Sequence, residues 1–127
     1  MKGIITLCGS TKFMQEYNEV NLELSLKDWV ILTVGAFTHS DEELLKSGKI
    51  NEEAKKKFDK LHMEKIGISQ AIVVINKNGY IGESTTNELK HALKLGKKIY
   101  WYDSSPQNIP DRLYSNEINN WHALLED

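Results

Sequence analysis

The chain has 127 residues, 40% hydrophobic and 27% charged, with sixteen basic against eighteen acidic side chains and a net charge of −2. That length supports one domain with one core, and the charge balance excludes the clustered positive excess of a nucleic-acid-polymer binder. No apolar run approaches the about 20 residues of a membrane span, the opening residues do not read as a signal peptide, and a single cysteine, Cys8, excludes a disulfide framework or a cysteine-cluster metal site. The expectation is a cytoplasmic protein with one domain over residues 1–127.

Gly3 to Gly9 reads GIITLCG, a short apolar run ending in Gly-Ser-Thr, which predicts a buried strand and a turn. Ser10 or Thr11 can cap a helix over about Lys12 to Asp28, in which Phe13, Tyr17, Val20, Leu24 and Trp29 recur at helical spacing. The β-branched run from Val30 to Gly35 predicts a second strand. Ala36 to Ile50, with Phe37, His39 and a Ser47-Gly48 breaker, has no clear period. Asn51 caps a helix reaching about Ile68, with acids in its first turn and Phe58, Leu61, Lys65 and Ile68 along one side.

Ala71 to Asn76 (AIVVIN) is the clearest strand. A glycine-rich turn holding Gly79, Tyr80 and Gly82 leads through Ser84-Thr85-Thr86 into a helix with core positions Leu89, Ala92 and Leu93 and a stop at Gly96. Lys98 to Tyr102 is a fourth strand. A loop with Pro106 and Pro110 precedes an amphipathic helix around Asn116 to Leu125. Strands alternating with helices imply parallel pairing through right-handed crossovers. The fold class expected is a doubly wound α/β domain: a mostly parallel sheet of four to five strands with helices on both faces, flavodoxin- or Rossmann-like.

In such a sheet ligands bind beyond the carboxyl ends of the strands, where strand order reverses. The first and third strands end in Cys8-Gly9-Ser10-Thr11 and in Asn76 to Ser84, both leading into helix N-termini that favour an anion. Neither loop has P-loop or Gly-x-Gly-x-x-Gly spacing, which disfavours ATPase and dinucleotide readings. Glu88 lies about one turn into the helix after the second of these loops. Thr85-x-x-Glu88 fits a capping box, so Glu88 is read either as a helix-start residue or as a carboxylate facing the cleft, where it would be a nucleophile toward an electrophilic sugar carbon.

The runs ITLCGSTKF, AIVVINKNGYIGEST and NELKHALKLGKKIYW resemble the nucleoside 2-deoxyribosyltransferase-like superfamily, which includes deoxyribosyltransferases and deoxynucleoside 5′-monophosphate N-glycosidases. The resemblance spans about Ile4 to Tyr102. It implies cleavage or transfer of the N-glycosidic bond of a deoxynucleoside or its monophosphate, with the nucleophile on Glu88 within Asn87-Glu88-Leu89-Lys90-His91-Ala92. It further implies a phosphate contact at Ser84 and sugar or base contacts from Cys8, Gly9 and Ser10. The residues themselves add Thr85 as a hydroxyl donor beside Ser84, and Gly79, Tyr80 and Gly82 of the Gly79-Tyr80-Ile81-Gly82 loop as substrate-contact candidates. Tyr80 is read either as stacking on a base or as packing on the site. The family's acid before the third strand falls nearest Glu64, because Gly67 and Gln70 are not acidic. No metal and no cofactor are implied, and the partners are a small nucleoside or nucleotide and, as a homodimer or larger homo-oligomer, further copies of the chain. The alternative is a non-catalytic nucleotide-binding or sensing module in which Glu88 only caps its helix.

The remaining residues carry less. His39, His62, His91 and His122 are dispersed, without ligand spacing, and read as surface or interface residues. Cys8 reads as a buried small hydrophobe, the run Lys55-Lys56-Lys57 as a solvated helix face, and Trp121 as an intramolecular or dimer contact.

Overall fold

The computed structural model describes residues 1–34, 46–48, 51–103 and 119–126. Its centre is a pair of parallel strands, β1 (Gly3–Gly9) and β3 (Ala71–Ile75), in a register that sets Gly9 against Ile75. The edge strands are β2 (Trp29–Leu32) beside β1 and β4 (Lys98–Trp101) beside β3. Among the described residues the sheet therefore has four strands, all parallel, in the order β2-β1-β3-β4. Among the described residues three α-helices cross between them: α1 (Met14–Leu26), α2 (Glu52–Ile68) and α3 (Glu83–Lys94).

The period-two alternation of the central strands sends side chains to both faces. Ile5 and Leu7 of β1 and Val73 and Ile75 of β3 meet Tyr17, Val20 and Leu24 of α1, with Trp121 and Leu124 closing that cluster. Cys8, Ile72 and Val74 point the other way, to Ile66 of α2 and Leu89 and Ala92 of α3. The result is the expected three-layer α/β architecture. Strand order reverses between β1 and β3, so their carboxyl ends, Cys8-Gly9 and Ile75-Asn76, open the crevice in which such sheets bind ligands. Gly9 is required at this point: its φ is +146°, and a Cβ there would stand 2.7 Å from the carbonyl oxygen of Ile75.

Several local expectations shift. The first helix starts as a 3₁₀ turn, Thr11–Phe13, before α1 begins at Met14. It closes on Asp28, whose φ of 70° turns the chain directly into β2. That strand therefore starts at Trp29, whose indole donates to the Leu124 carbonyl at 3.0 Å. Asn51 caps α2 as expected, its Oδ1 accepting from Ala54 N at 2.8 Å.

The buried face of α2 differs from the stripe expected. Phe58, Leu61 and Ile68 are exposed, and the inward positions are His62, Ile66 and, just past the helix, Ser69. The inward row is one residue out of phase because it includes polar side chains that a count of apolar residues passes over. The end of α3 is a Schellman motif, with Gly96 N bonded to Leu93 O and Lys97 N to Ala92 O around a Gly96 φ of 72°. Of the C-terminal helix expected from Asn116, residues 116–118 lie outside the described residues. The described part is a 3₁₀ helix, Trp121–Leu125, not an α-helix. Trp121 is buried within the chain and stacks on Tyr102 with ring centroids 6.1 Å apart. His39 also lies outside the described residues.

Candidate active site

A cleft of about 430 Å³ opens at the carboxyl ends of β1 and β3, within the size range of small-molecule sites. Gly9, Ser10 and Thr11 form one wall, and Phe58, Asp59, His62 and Met63 of α2 form a second. The third wall is Tyr80, Gly82 and the first turns of α3, including Glu83, Ser84, Thr85, Asn87 and Glu88. The two loops singled out in the sequence thus face one another across one crevice.

The start of α3 decides between the two readings of Glu88. Its N-cap is Gly82, with no side-chain cap hydrogen bond, so Thr85 is not the cap of a capping box. Thr85 is buried inside the first turn, and the Thr86 hydroxyl donates back to the Gly82 carbonyl at 2.8 Å. Glu88 instead points into the cleft with its side chain 11% exposed, and its Oε1 is 3.4 Å from His62 Nε2. The glycine cap keeps the first peptide N–H groups of the helix accessible to a ligand, at the positive end of the helix dipole.

His62 is not a surface residue. Its side chain is 9% exposed, and burial, reinforced by Lys65, pushes its pKa down from 6.5 to about 4 despite Asp59 and a backbone hydrogen bond involving Leu7. It is therefore neutral at pH 7 and does not form an ion pair with Glu88. Cys8 lies behind the cleft wall, fully buried. Burial first, and the negative Glu88 second, hold its thiol well above the ordinary range. The same causes, with Cys8 added, raise Tyr17, whose hydroxyl donates to the Gly9 carbonyl at 2.8 Å. Together these residues make a buried, electrostatically linked cluster behind the cleft wall.

Of the residues singled out in the sequence, Gly9, Ser10, Tyr80, Gly82, Ser84, Thr85 and Glu88 line the cleft. Gly79 is buried in the turn below Tyr80, with a φ of 80°. Tyr80 carries the Lys12 ammonium 3.5 Å from its ring centroid and meets Phe13 edge-on, which fastens the first-strand loop to the third-strand loop. Glu64 is exposed and not among the residues lining the cleft, because it lies on the outer side of α2. The α2 carboxylate that does line it is Asp59, three residues before His62 and ion-paired to Lys55 at 3.0 Å. Gln70 is structural, its side-chain oxygen accepting from Ile4 N. His62 and Asp59 were missed in the sequence. The signal that finds them is the 59-62-66-69 row, in phase with Ile66 but not with Phe58 and Leu61.

No protein-family model matches the chain, and nothing among curated proteins matches it. Among solved structures it is similar to a 2-desoxiribosyltransferase from Leishmania mexicana, with 18% sequence identity and a TM-score of 0.51 over 98% of this chain and 85% of that one. The chain has a deoxyribosyltransferase-like fold. The cleft lies where doubly wound sheets place theirs, and no helix among the described residues is long and apolar enough to cross a membrane.

Proposed function

We propose that the protein cleaves or transfers the N-glycosidic bond of a deoxynucleoside or deoxynucleoside 5′-monophosphate, with Glu88 as the nucleophile. The observation that carries this reading is the placement of Glu88: a nearly buried carboxylate turned into the cleft, on a helix whose start is capped by Gly82 instead of by side chains. The Glu88 carboxylate attacks C1′ as the C1′–N bond breaks, and the bonding pair leaves with the base, which takes up a proton. The resulting glycosyl ester is resolved by water, giving hydrolysis, or by a second base, giving transfer. The Ser84 hydroxyl and the amide groups at the start of α3 suit a 5′-phosphate. Tyr80 and Phe58 offer faces to a base, and Asp59, not Glu64, is the α2 carboxylate within reach of it. The same reading has the protein act in the cytoplasm as a homo-oligomer.

A nucleotide-binding or sensing module is the second reading. It is favoured by the absence of a carboxylate at Gly67 and by the structural use of Gln70. One assay separates the two. The protein is incubated with deoxynucleosides and their monophosphates, and free base is measured by chromatography with and without an acceptor base. Base release that disappears in Glu88→Gln supports catalysis. Release undiminished in that variant defeats the nucleophile assignment, and saturable monophosphate binding without release establishes the module.

A further inference from the structure

We propose that Cys8, His62 and Glu88 form a binding site for a borderline-soft divalent cation of the Zn²⁺ class. The three residues come from β1, α2 and α3, all are buried, and their ligand atoms lie within 4.8 Å of one another. They supply sulfur, nitrogen and oxygen, a donor set that suits Zn²⁺ better than Mg²⁺ or Ca²⁺.

His62 carries the argument. Its Nε2 is buried and has no hydrogen-bond partner. The Leu7 backbone also favours a proton on this ring, and the tautomer protonated at Nδ1 leaves the Nε2 lone pair open. Nε2 then presents a lone pair toward Glu88 Oε1 at 3.4 Å. Two electron-rich atoms facing each other in a buried pocket repel, and a cation between them converts the repulsion into attraction. A backbone carbonyl on the far nitrogen is also the arrangement that fixes the tautomer of metal-ligating imidazoles.

The spacing fits. Tetrahedral geometry with Zn–N and Zn–O bonds of about 2.0–2.1 Å puts such atoms about 3.3 Å apart, and the His62–Glu88 separation is 3.4 Å. Cys8 Sγ lies within 4.8 Å of both other ligand atoms, so it needs a shift of at most about an ångström to reach a Zn–S distance of about 2.3 Å. Binding converts the thiol to a thiolate and releases its proton to solvent, while the cation offsets the two causes that hold Cys8 protonated. His62 and Glu88 both line the cleft, so the cation would be reached from that side. The bound cation engages the same carboxylate that the proposed reaction uses as its nucleophile, so it silences that reaction. The site itself does not depend on the reaction.

The test is a titration of the metal-free full chain with Co²⁺, followed by near-ultraviolet and visible absorption, then displacement with Zn²⁺. The expected result is a thiolate-to-cobalt charge-transfer band that saturates at one equivalent and is bleached by Zn²⁺. Cys8 is the only cysteine, so the band has one source. Cys8→Ala should remove it, and His62→Gln should weaken binding by more than about 100-fold, since even outer-sphere partners of a metal are worth about 10–100-fold. If Cys8→Ala fails to fold, His62→Gln with circular dichroism as a folding control decides alone. Cobalt binding without the band, unchanged affinity in His62→Gln, or no binding at millimolar metal overturns the proposal. A protein that shows the band but releases no base retains the metal site and refutes only the catalytic reading.

Discussion

The two faces of the sheet are built by the same strands and put to different uses. Toward α1 the clustered side chains are apolar, Ile5, Leu7, Val73 and Ile75 against Val20, Leu24 and Trp121, joined by the ring of Tyr17, and the buried Glu16 carboxylate of α1 is paired with Lys77 at 2.7 Å. Toward α2 and α3, polar groups are set into the apolar layer. At the amino end of that face they satisfy each other: Thr6 Oγ1 lies 2.6 Å from Ser69 Oγ and 3.0 Å from the Lys65 carbonyl, and the Ser69 hydroxyl is 2.7 Å from the same carbonyl. At the carboxyl end they converge as Cys8, His62 and Glu88 at the floor of the cleft. One face supplies stability alone, and the other combines stability with a reactive end. A buried polar group is tolerated where it is bonded locally or where a ligand completes it.

The largest expected effect tests the reactive end. Glu88→Gln should lower any base release by about 10³-fold or more while leaving thermal unfolding nearly unchanged, as measured by base chromatography beside a melting curve. The opposite pattern is expected across the sheet. Leu24→Ala should cost about 2–5 kcal/mol in urea unfolding and leave the rate per folded molecule intact. A catalytic loss in the folded Leu24→Ala protein would break the division between faces.

The next effect is a pH dependence. Folding lowers the His62 pKa from 6.5 to about 4, so the unfolded chain binds an extra proton between those values. Stability from this group is complete above pH 6.5 and is lost as pH falls toward 4, by at most about 3 kcal/mol. His62→Gln should flatten that window in denaturation experiments at stepped pH. Thr6→Val should cost about 1 kcal/mol, because the Ser69 hydroxyl keeps its bond to Lys65 O. Lys55→Ala should move stability by less than about 0.5 kcal/mol, as expected of an exposed i,i+4 pair. The last two, read from the same unfolding curves, show whether polar bonds inside the α2–α3 face outweigh those on its outer surface.

The fold was legible because its central strands are unmistakable: AIVVI has no polar side chain, and GIITLCG ends at a glycine that the Ile75 carbonyl leaves no room to replace. Glu88 and the two glycine-hydroxyl loops were legible because loop positions after parallel strands are where sites form. His62 was not, since a histidine on a helix with apolar residues at 58, 61 and 68 looks solvent-facing until α2 is docked. Asp59 is hidden for the same reason, and the expectation at Glu64 rests on depth along the chain, which carries no information about rotation around the helix. The start of α3 misled because Ser-Thr-Thr resembles a cap, whereas Gly82 takes that position, with Thr85 buried in the first turn and the Thr86 hydroxyl bonded back to the Gly82 carbonyl.

Cys8, His62 and Glu88 are separated along the chain by two complete crossovers, so no fragment shorter than β1 through α3 contains the cluster. Undocking any one of those elements dissolves it, which makes its assembly a collective event. A spectroscopic or chemical handle on this cluster would therefore report the whole cooperative unit, and truncated or nicked chains would lose it entirely instead of in proportion to the residues removed.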